Sequence, residues 1–219
     1  MGEPASSPKA ARLPPVDHLV WGGPDLDREI DRLERLTGIR ARLGGRHPGE
    51  GTRNALIRLG PAMYLELIGP DPSQEPPREP RWFGLDVLTS PRLIAWAAKS
   101  TDLEHRAAAA RNAGAPLGEV RTGRRELRSG QVLAWQLTYP QVQEGIALVP
   151  FLIDWGESSH PAESAPGGIR LVDLRAEHPD PAATIKHLQN LGLALEVLRG
   201  PTPALIAALD TPLGRVELR

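Results

Sequence analysis

The chain has no cysteine. That absence excludes disulfides, thiolate metal centres and a cysteine nucleophile, and leaves histidine, aspartate and glutamate as the strong metal ligands. Neither sign of charge dominates: Lys+Arg number 26 against 27 Asp+Glu, a formal net charge of -1. Such a balance gives no electrostatic reason to expect nucleic acid or an anionic membrane as partner. No segment approaches the roughly 20 consecutive apolar residues needed to span a bilayer, and the first residues, Met1 to Lys9, lack the apolar run of a secretion signal. The expectation is a cytoplasmic chain with a disordered leader over 1–12. No serine stands in a nucleophile elbow, which disfavours a hydrolase triad.

Glycine and proline are plentiful, and they punctuate a long-range repeat. Three times a strand-like run is followed by an acidic helix start, an amphipathic helix and a glycine stop. The first helix starts near Asp25, with Leu26, Ile30, Leu33 and Leu36 on one stripe before Gly38. A second starts at Thr101-Asp102-Leu103-Glu104, where Thr and Glu three apart form a capping box, and runs to Gly114. The third starts at Asp180-Pro181 and carries Ile185, Leu188 and Leu191 before Gly192. The three acids stand 77 and 78 residues apart (102 − 25 and 180 − 102).

β-like segments complete each unit: Asp17–Trp21, Asn54–Leu59 and Met63–Ile68 in the first; Leu93–Ala97, Glu119–Thr122, Leu133–Tyr139 and Val149–Trp155 in the second; Ile169–Leu174, Leu193–Leu198, Ala204–Leu209 and Arg215–Leu218 in the third. Each unit reads β-α-β-β-β, over 13–70, 81–156 and 168–219. The fold class is α+β, with paired modules forming a curved, barrel-like mixed sheet and the helices outside. Pro70–Pro80 and Gly156–Gly168 read as linkers.

Strand alternation places His18 with Val16 and Val20, and sends Asp17 to the opposite face, so that Asp17 and His18 do not pair. Met63, Leu65 and Leu67 take one face of their strand and suit packing under a helix. Tyr64, Glu66 and Ile68 take the other. A carboxylate on so apolar a strand costs several kcal/mol, roughly, to bury unless it is paired or metal-bound, which points to a metal or to Arg46 or Arg58 as the partner of Glu66. The loop Gly44–Thr52 is neither a P-loop nor a dinucleotide fingerprint. Its Arg46, His47 and Thr52, with Asn54, still gather donors suited to a carboxylate, phosphate or carbonyl.

Aromatic residues make up 4% of the chain, yet Trp82, Trp96, Trp135 and Trp155 crowd into the second unit. They suit core packing for the most part, with an apolar pocket as the other use. His105, His178 and His187 read as surface residues.

Asp17-His18-Leu19-Val20 with Pro24-Asp25-Leu26, the loop from Gly44 to Asn54, Tyr64-Leu65-Glu66-Leu67-Ile68 and Pro150 to Gly156 together resemble the vicinal oxygen chelate superfamily. That superfamily includes glyoxalase I, extradiol dioxygenases and bleomycin-resistance proteins, and the closest likeness is to its bacterial glyoxalase-like branch. The resemblance implies a divalent metal (Mn, Fe, Ni, Zn or Mg) held by His18 and Glu66, with His47 or His160 as further ligands. It also implies a catalytic role for His18 and Glu66, and a small oxygenated substrate met by Arg46, His47, Thr52, Asn54, Tyr64 and Trp155. The implied activity is that of a lyase, isomerase or dioxygenase. The second unit departs from the pattern. Ala95 stands where His18 does in the first, and Ile153 or Asp154 falls near the position of Glu66; the third unit offers Arg170 and Glu217. The loss of the second histidine favours the alternative, a metal-free protein of the bleomycin-resistance type that sequesters a small molecule. An odd third unit also admits a homodimer.

Overall fold

A computed structural model of the chain describes residues 13–126, 132–142 and 145–219. The leader expected over 1–12 lies outside the described residues. Strand β1 (Val16–Gly22) is buried along its whole length because it becomes the centre of a sheet, with neighbours on both edges. Helix α1 (Leu26–Thr37) follows at once. Asp25 caps it, accepting from the backbone N–H of Asp27 and Arg28, and Gly38 ends it at φ 76, a left-handed turn that glycine adopts without a Cβ penalty. Leu26, Ile30 and Leu33 are buried, each worth about 1.5–3 kcal/mol. Leu36, the fourth member of the expected stripe, is 42% exposed.

Strands β2 (Arg42–His47), β3 (Thr52–Gly60) and β4 (Met63–Pro70) complete the first unit, and β4 returns parallel to β1. β2 was not expected. Its two glycines and two arginines have poor strand preference, and it exists because it pairs antiparallel with β3. The second unit repeats the plan with β5 (Arg92–Lys99), α2 (Leu103–Asn112), β6 (Val120–Glu126), β7 (Val132–Thr138) and β8 (Phe151–Asp154). The capping box expected at α2 does not form: Asp102 adopts a left-handed conformation and makes no capping hydrogen bond.

The two units share one sheet in the order β2-β3-β4-β1-β5-β8-β7-β6, a mirrored arrangement joined by antiparallel β1 and β5. The sheet curls until its edge strands β2 and β6 approach each other. Its convex face carries α1 and α2 over a core that includes Leu19, Leu65, Leu67 and Trp96. Its concave face is left to line a cleft.

The third unit keeps the element order but not the topology. Strands β9 (Arg170–His178), β10 (Glu196–Arg199), β11 (Ala204–Thr211) and β12 (Gly214–Leu218), with α3 (Pro181–Asn190) between the first two, form a separate sheet in the order β10-β9-β11-β12. In the first two units the first strand pairs with the last, whereas β9 pairs with β10 and β11. Leu171, Leu174, Leu205 and Leu209 join the helix-side core, so this sheet roofs the convex face away from the cleft. Among the described residues no helix is long and apolar enough to cross a membrane.

A short 3-10 turn at Trp82–Val87 follows the first linker, and in the second linker a 3-10 turn at Pro161–Glu163 lays Ala162 and Ala165 against Leu56 and Tyr64. Gly123 of β6 lies directly opposite Trp135 of β7, and a Cβ there would come within 2.3 Å of the indole. Gly123→Ala is therefore expected to push Trp135 out of position and to destabilise the fold by about 1–3 kcal/mol. Chemical denaturation followed by tryptophan fluorescence measures both effects, and an unchanged midpoint and spectrum would contradict this packing.

Candidate functional site

The concave face lines a cleft into which His18, His47, Asn54, Tyr64 and Glu66 project from the first half. Its other walls are largely apolar, among them Phe83, Trp135, Phe151, Ile153 and Trp155. Three of the five tryptophans thus face the cleft. Trp21 and Trp96 lie on the helix side, where their N–H groups donate to Glu29 and to the Leu148 carbonyl.

His18 points into the cleft by alternation with the core residues Leu19 and Trp21, and a bulge in β1 sets the residue before it. Pairing of β1 with β5 runs Val16 to Ala98 and then His18 to Ala97, so Asp17 is an extra residue with no partner of its own. The bulge overturns the expected alternation. Val16 joins the helix-side core, and Asp17 turns to the side of His18, with its Oδ1 2.8 Å from His18 Nδ1. Asp17 is 1% exposed and takes two further donors: Trp155 Nε1–H reaches both of its oxygens at 3.2 Å, and His160 Nε2 lies 3.2 Å from Oδ2. Burial works against ionisation here, but the hydrogen bonds from His160 and His18 outweigh it and hold the Asp17 carboxyl well below the ordinary carboxylate range. An ionised carboxylate only accepts, so His18 carries its proton on Nδ1 and presents Nε2 to the cleft.

Glu66 meets that nitrogen, its Oε2 lying 3.8 Å from His18 Nε2. Neither arginine expected as its partner is there: Arg46 is turned outward and pairs with Asp71, and a Cβ on Gly167 would run into the Arg58 guanidinium, which places Arg58 against the second linker. Glu66 instead accepts from Asn54 Nδ2 at 2.6 Å. The orientation of that amide is fixed, because Asn54 Oδ1 takes the Gly45 backbone N–H at 3.0 Å. His47 closes the same edge, with Nδ1 2.8 Å from Thr52 Oγ1 and Nε2 3.4 Å from Asn54 Nδ2. Thr52, fully buried, thus acts through His47.

Ring contacts complete a circuit around the cleft. His47 stacks on Trp82 at 5.5 Å between centroids, Trp82 meets Phe83 at 6.3 Å, Phe83 meets Phe151 at 5.9 Å, and Phe151 meets His18 edge-on at 5.4 Å. Tyr64 stacks flat on His18 at 4.5 Å. His160 stands behind this circuit. Its Nδ1 accepts the Ala162 N–H and its Nε2 is turned to Asp17, so both ring nitrogens are engaged.

Register shows what became of the second half-site. Leu19 pairs with Trp96, and a two-fold axis through that pair exchanges His18 with Ala95 and Val20 with Ala97. Val20 pairs with Glu66 and Ala97 pairs with Phe151, so Phe151, not Ile153 or Asp154, holds the position equivalent to Glu66. The counterparts of a nitrogen and a carboxylate are a methyl and a phenyl. Among the described residues no three of His, Asp and Glu are grouped so as to hold a metal ion.

The sequence reading missed Asp17 as a cleft residue, because strict alternation cannot foresee a bulge, and it offered a pocket wall only as the second use of Trp82. Asp17→Asn is expected to cost about 3 kcal/mol at neutral pH, since it strips charged acceptance from the buried His18 and the part-buried Trp155 and His160. The folded-state pKa of Asp17 lies below its unfolded value near 3.8, so this stability is fully present above that value and is lost as pH falls below it. Denaturant titrations of both proteins from pH 7 to 2 test this: the gap should hold down to about pH 4 and then shrink, and a gap independent of pH would refute it.

The sequence profile described as "Glyoxalase-like domain" matches residues 16–192. A crystal structure of a hypothetical protein from Staphylococcus aureus is similar in fold, with 16% identity, a TM-score of 0.67, and coverage of 86% of this chain and 87% of that one. Methylmalonyl-CoA epimerase of Mycobacterium tuberculosis is matched more distantly, with 21% identity, a TM-score of 0.44, and coverage of 68% and 93%. A Streptomyces coelicolor methylmalonyl-CoA epimerase variant in complex with 2-nitronate-propionyl-CoA gives 19% identity, a TM-score of 0.45, and coverage of 68% and 99%. No curated protein matches the chain. With two β-α-β-β-β halves sharing one curled sheet and a family profile running from the first strand of the first half past the end of α3, the chain belongs to the glyoxalase-like domain family.

Proposed function

We propose that the chain binds a small, uncharged metabolite bearing a carbonyl or hydroxyl oxygen in the cleft, and moves a proton on it in the manner of an isomerase or lyase, without a resident metal. The observation that carries this reading is His18 Nε2 facing the Glu66 carboxylate at 3.8 Å in an otherwise largely aromatic and aliphatic cleft. Asp17 fixes the tautomer, so Nε2 is the nitrogen that takes and returns a proton. Glu66, oriented by Asn54, is the second proton carrier within reach.

Charge narrows the ligand. Among the described residues neither lysine nor arginine lines the cleft, while Glu66 stands in it and ionised Asp17 directly behind. A carboxylate or phosphate entering there would meet negative charge with no cation to offset it, whereas an uncharged ligand pays no such penalty. A divalent ion would rest on His18 and Glu66, fewer than the three protein ligands of an ordinary open catalytic site. The apolar pair Ala95 and Phe151 also supports a second reading, sequestration of a small molecule with no chemistry.

Phenylacetone, an uncharged aromatic ketone with acidic α-protons, separates these readings when incubated with the protein in deuterium oxide and followed by NMR. The expected result is exchange faster than in buffer, reduced about 100-fold or more in both His18→Ala and Glu66→Gln. Binding without exchange selects sequestration, and absence of both in the unaltered protein overturns the proposal. Thermal melts with Mn, Fe, Ni, Zn or Mg ions test the metal separately. No rise in melting temperature that depends on His18 is expected, and a rise that His18→Ala abolishes would restore the metal reading.

A further inference from the structure

One donor in the circuit around the cleft is unused by the fold. The Nε1–H of Trp82 is buried and has no acceptor among the described residues. Trp21, Trp96 and Trp155 each donate to a named oxygen. A buried donor left unpaired carries a desolvation cost of about 1–3 kcal/mol, and native proteins rarely retain one without a use.

Trp82 is also held firmly where it stands. The backbone N–H of the preceding Arg81 donates to Asp86 at 2.7 Å, and its guanidinium pairs with Asp86 and donates to the Gly51 carbonyl at 2.9 Å. The following Phe83 adopts φ 57, ψ 15, a left-handed conformation uncommon for an aromatic residue. His47 stacks on the indole from the side. Backbone strain and an unmet donor thus occupy adjacent residues of one wall, the pattern expected where a site is preorganised for something that is not part of the chain.

We infer that Trp82 is a ligand-positioning residue whose indole N–H holds the carbonyl oxygen of the bound metabolite. The inference rests on the reading of the cleft as a site for an uncharged carbonyl compound, and it adds which end of the ligand goes where. Around the circuit Trp82 lies opposite His18, separated from it by Glu66, Asn54 and His47 on one side and by Phe83 and Phe151 on the other. A carbonyl oxygen on Trp82 turns the neighbouring carbon toward His18 and Glu66. When the C–H bond breaks, its proton passes to His18 Nε2 and its electron pair becomes the enolate, whose negative charge falls on the oxygen held by the indole N–H. Return of the proton to carbon closes the cycle with no further reactant. Trp82 comes from the short turn between the first linker and β5, which has no counterpart among the repeated strands and helices.

Trp82→Phe keeps an aromatic ring and removes the N–H. The test measures binding of phenylacetone and of propylbenzene, its hydrocarbon counterpart, to both proteins, together with the melting temperature and the indole N–H resonances. The unaltered protein is expected to prefer the ketone by tenfold or more. Trp82→Phe is expected to lose that preference and to slow deuterium exchange ten- to hundredfold, with an unchanged melting temperature. The Trp82 indole resonance should lie upfield in the free protein and move downfield on adding the ketone. Equal ketone preference in both proteins, or a melting temperature lowered by several degrees, overturns the role of Trp82 while the cleft reading stands. Failure of the unaltered protein to bind either compound defeats both.

Discussion

The site depends on one buried carboxylate. Asp17 draws His18 from its own strand, Trp155 from just beyond β8 and His160 from the second linker onto two oxygens, joining three segments that are far apart in sequence. The bulge that delivers Asp17 to the concave face makes this possible, and His160 and His18 keep the group ionised despite its burial. In turn the ionised group sets the His18 tautomer, so the chemistry available at Nε2 is decided one residue away from the nitrogen that would perform it.

The two halves have the same topology and unlike chemistry. Their common sheet places equivalent positions on either side of the Leu19–Trp96 pair, yet one side carries His18 and Glu66 and the other Ala95 and Phe151. The first half therefore supplies polarity and the second supplies apolar surface. Such a division suits a ligand with a reactive oxygenated end and a hydrocarbon body, and it removes half of the donors that a metal centre built by both halves would use.

The segments outside the repeats have equally definite work. The turn between the first linker and β5 brings Trp82 and Phe83 to the cleft, and the second linker brings His160 to Asp17 and packs Ala162 against Tyr64. The third sheet contributes no cleft-lining residue and instead covers the convex face, where it shields the core over β1 and β5. Its changed strand order explains why a repeat in element order was not a repeat in architecture.

Local chemistry sufficed for much of this. Asp25 and Gly38 mark the ends of α1 because a side-chain acceptor and a left-handed turn are short-range requirements, and alternation of Met63, Leu65 and Leu67 with Tyr64, Glu66 and Ile68 told the core face of β4 from its cleft face. His18 and Glu66 were legible as the polar pair for the same reason. The partners of those residues were not. Asp17 faces the cleft because of a strand register, Asn54 displaced the expected arginines as partner of Glu66 because β3 lies beside β4, and β2 formed only through its neighbour. The sequence by itself determined which elements form and which of their faces are apolar, since those follow from residues a few positions apart. Tertiary structure alone decided which polar groups meet, because pairing across strands and linkers depends on register and on the curl of the sheet, which no short stretch of the chain encodes.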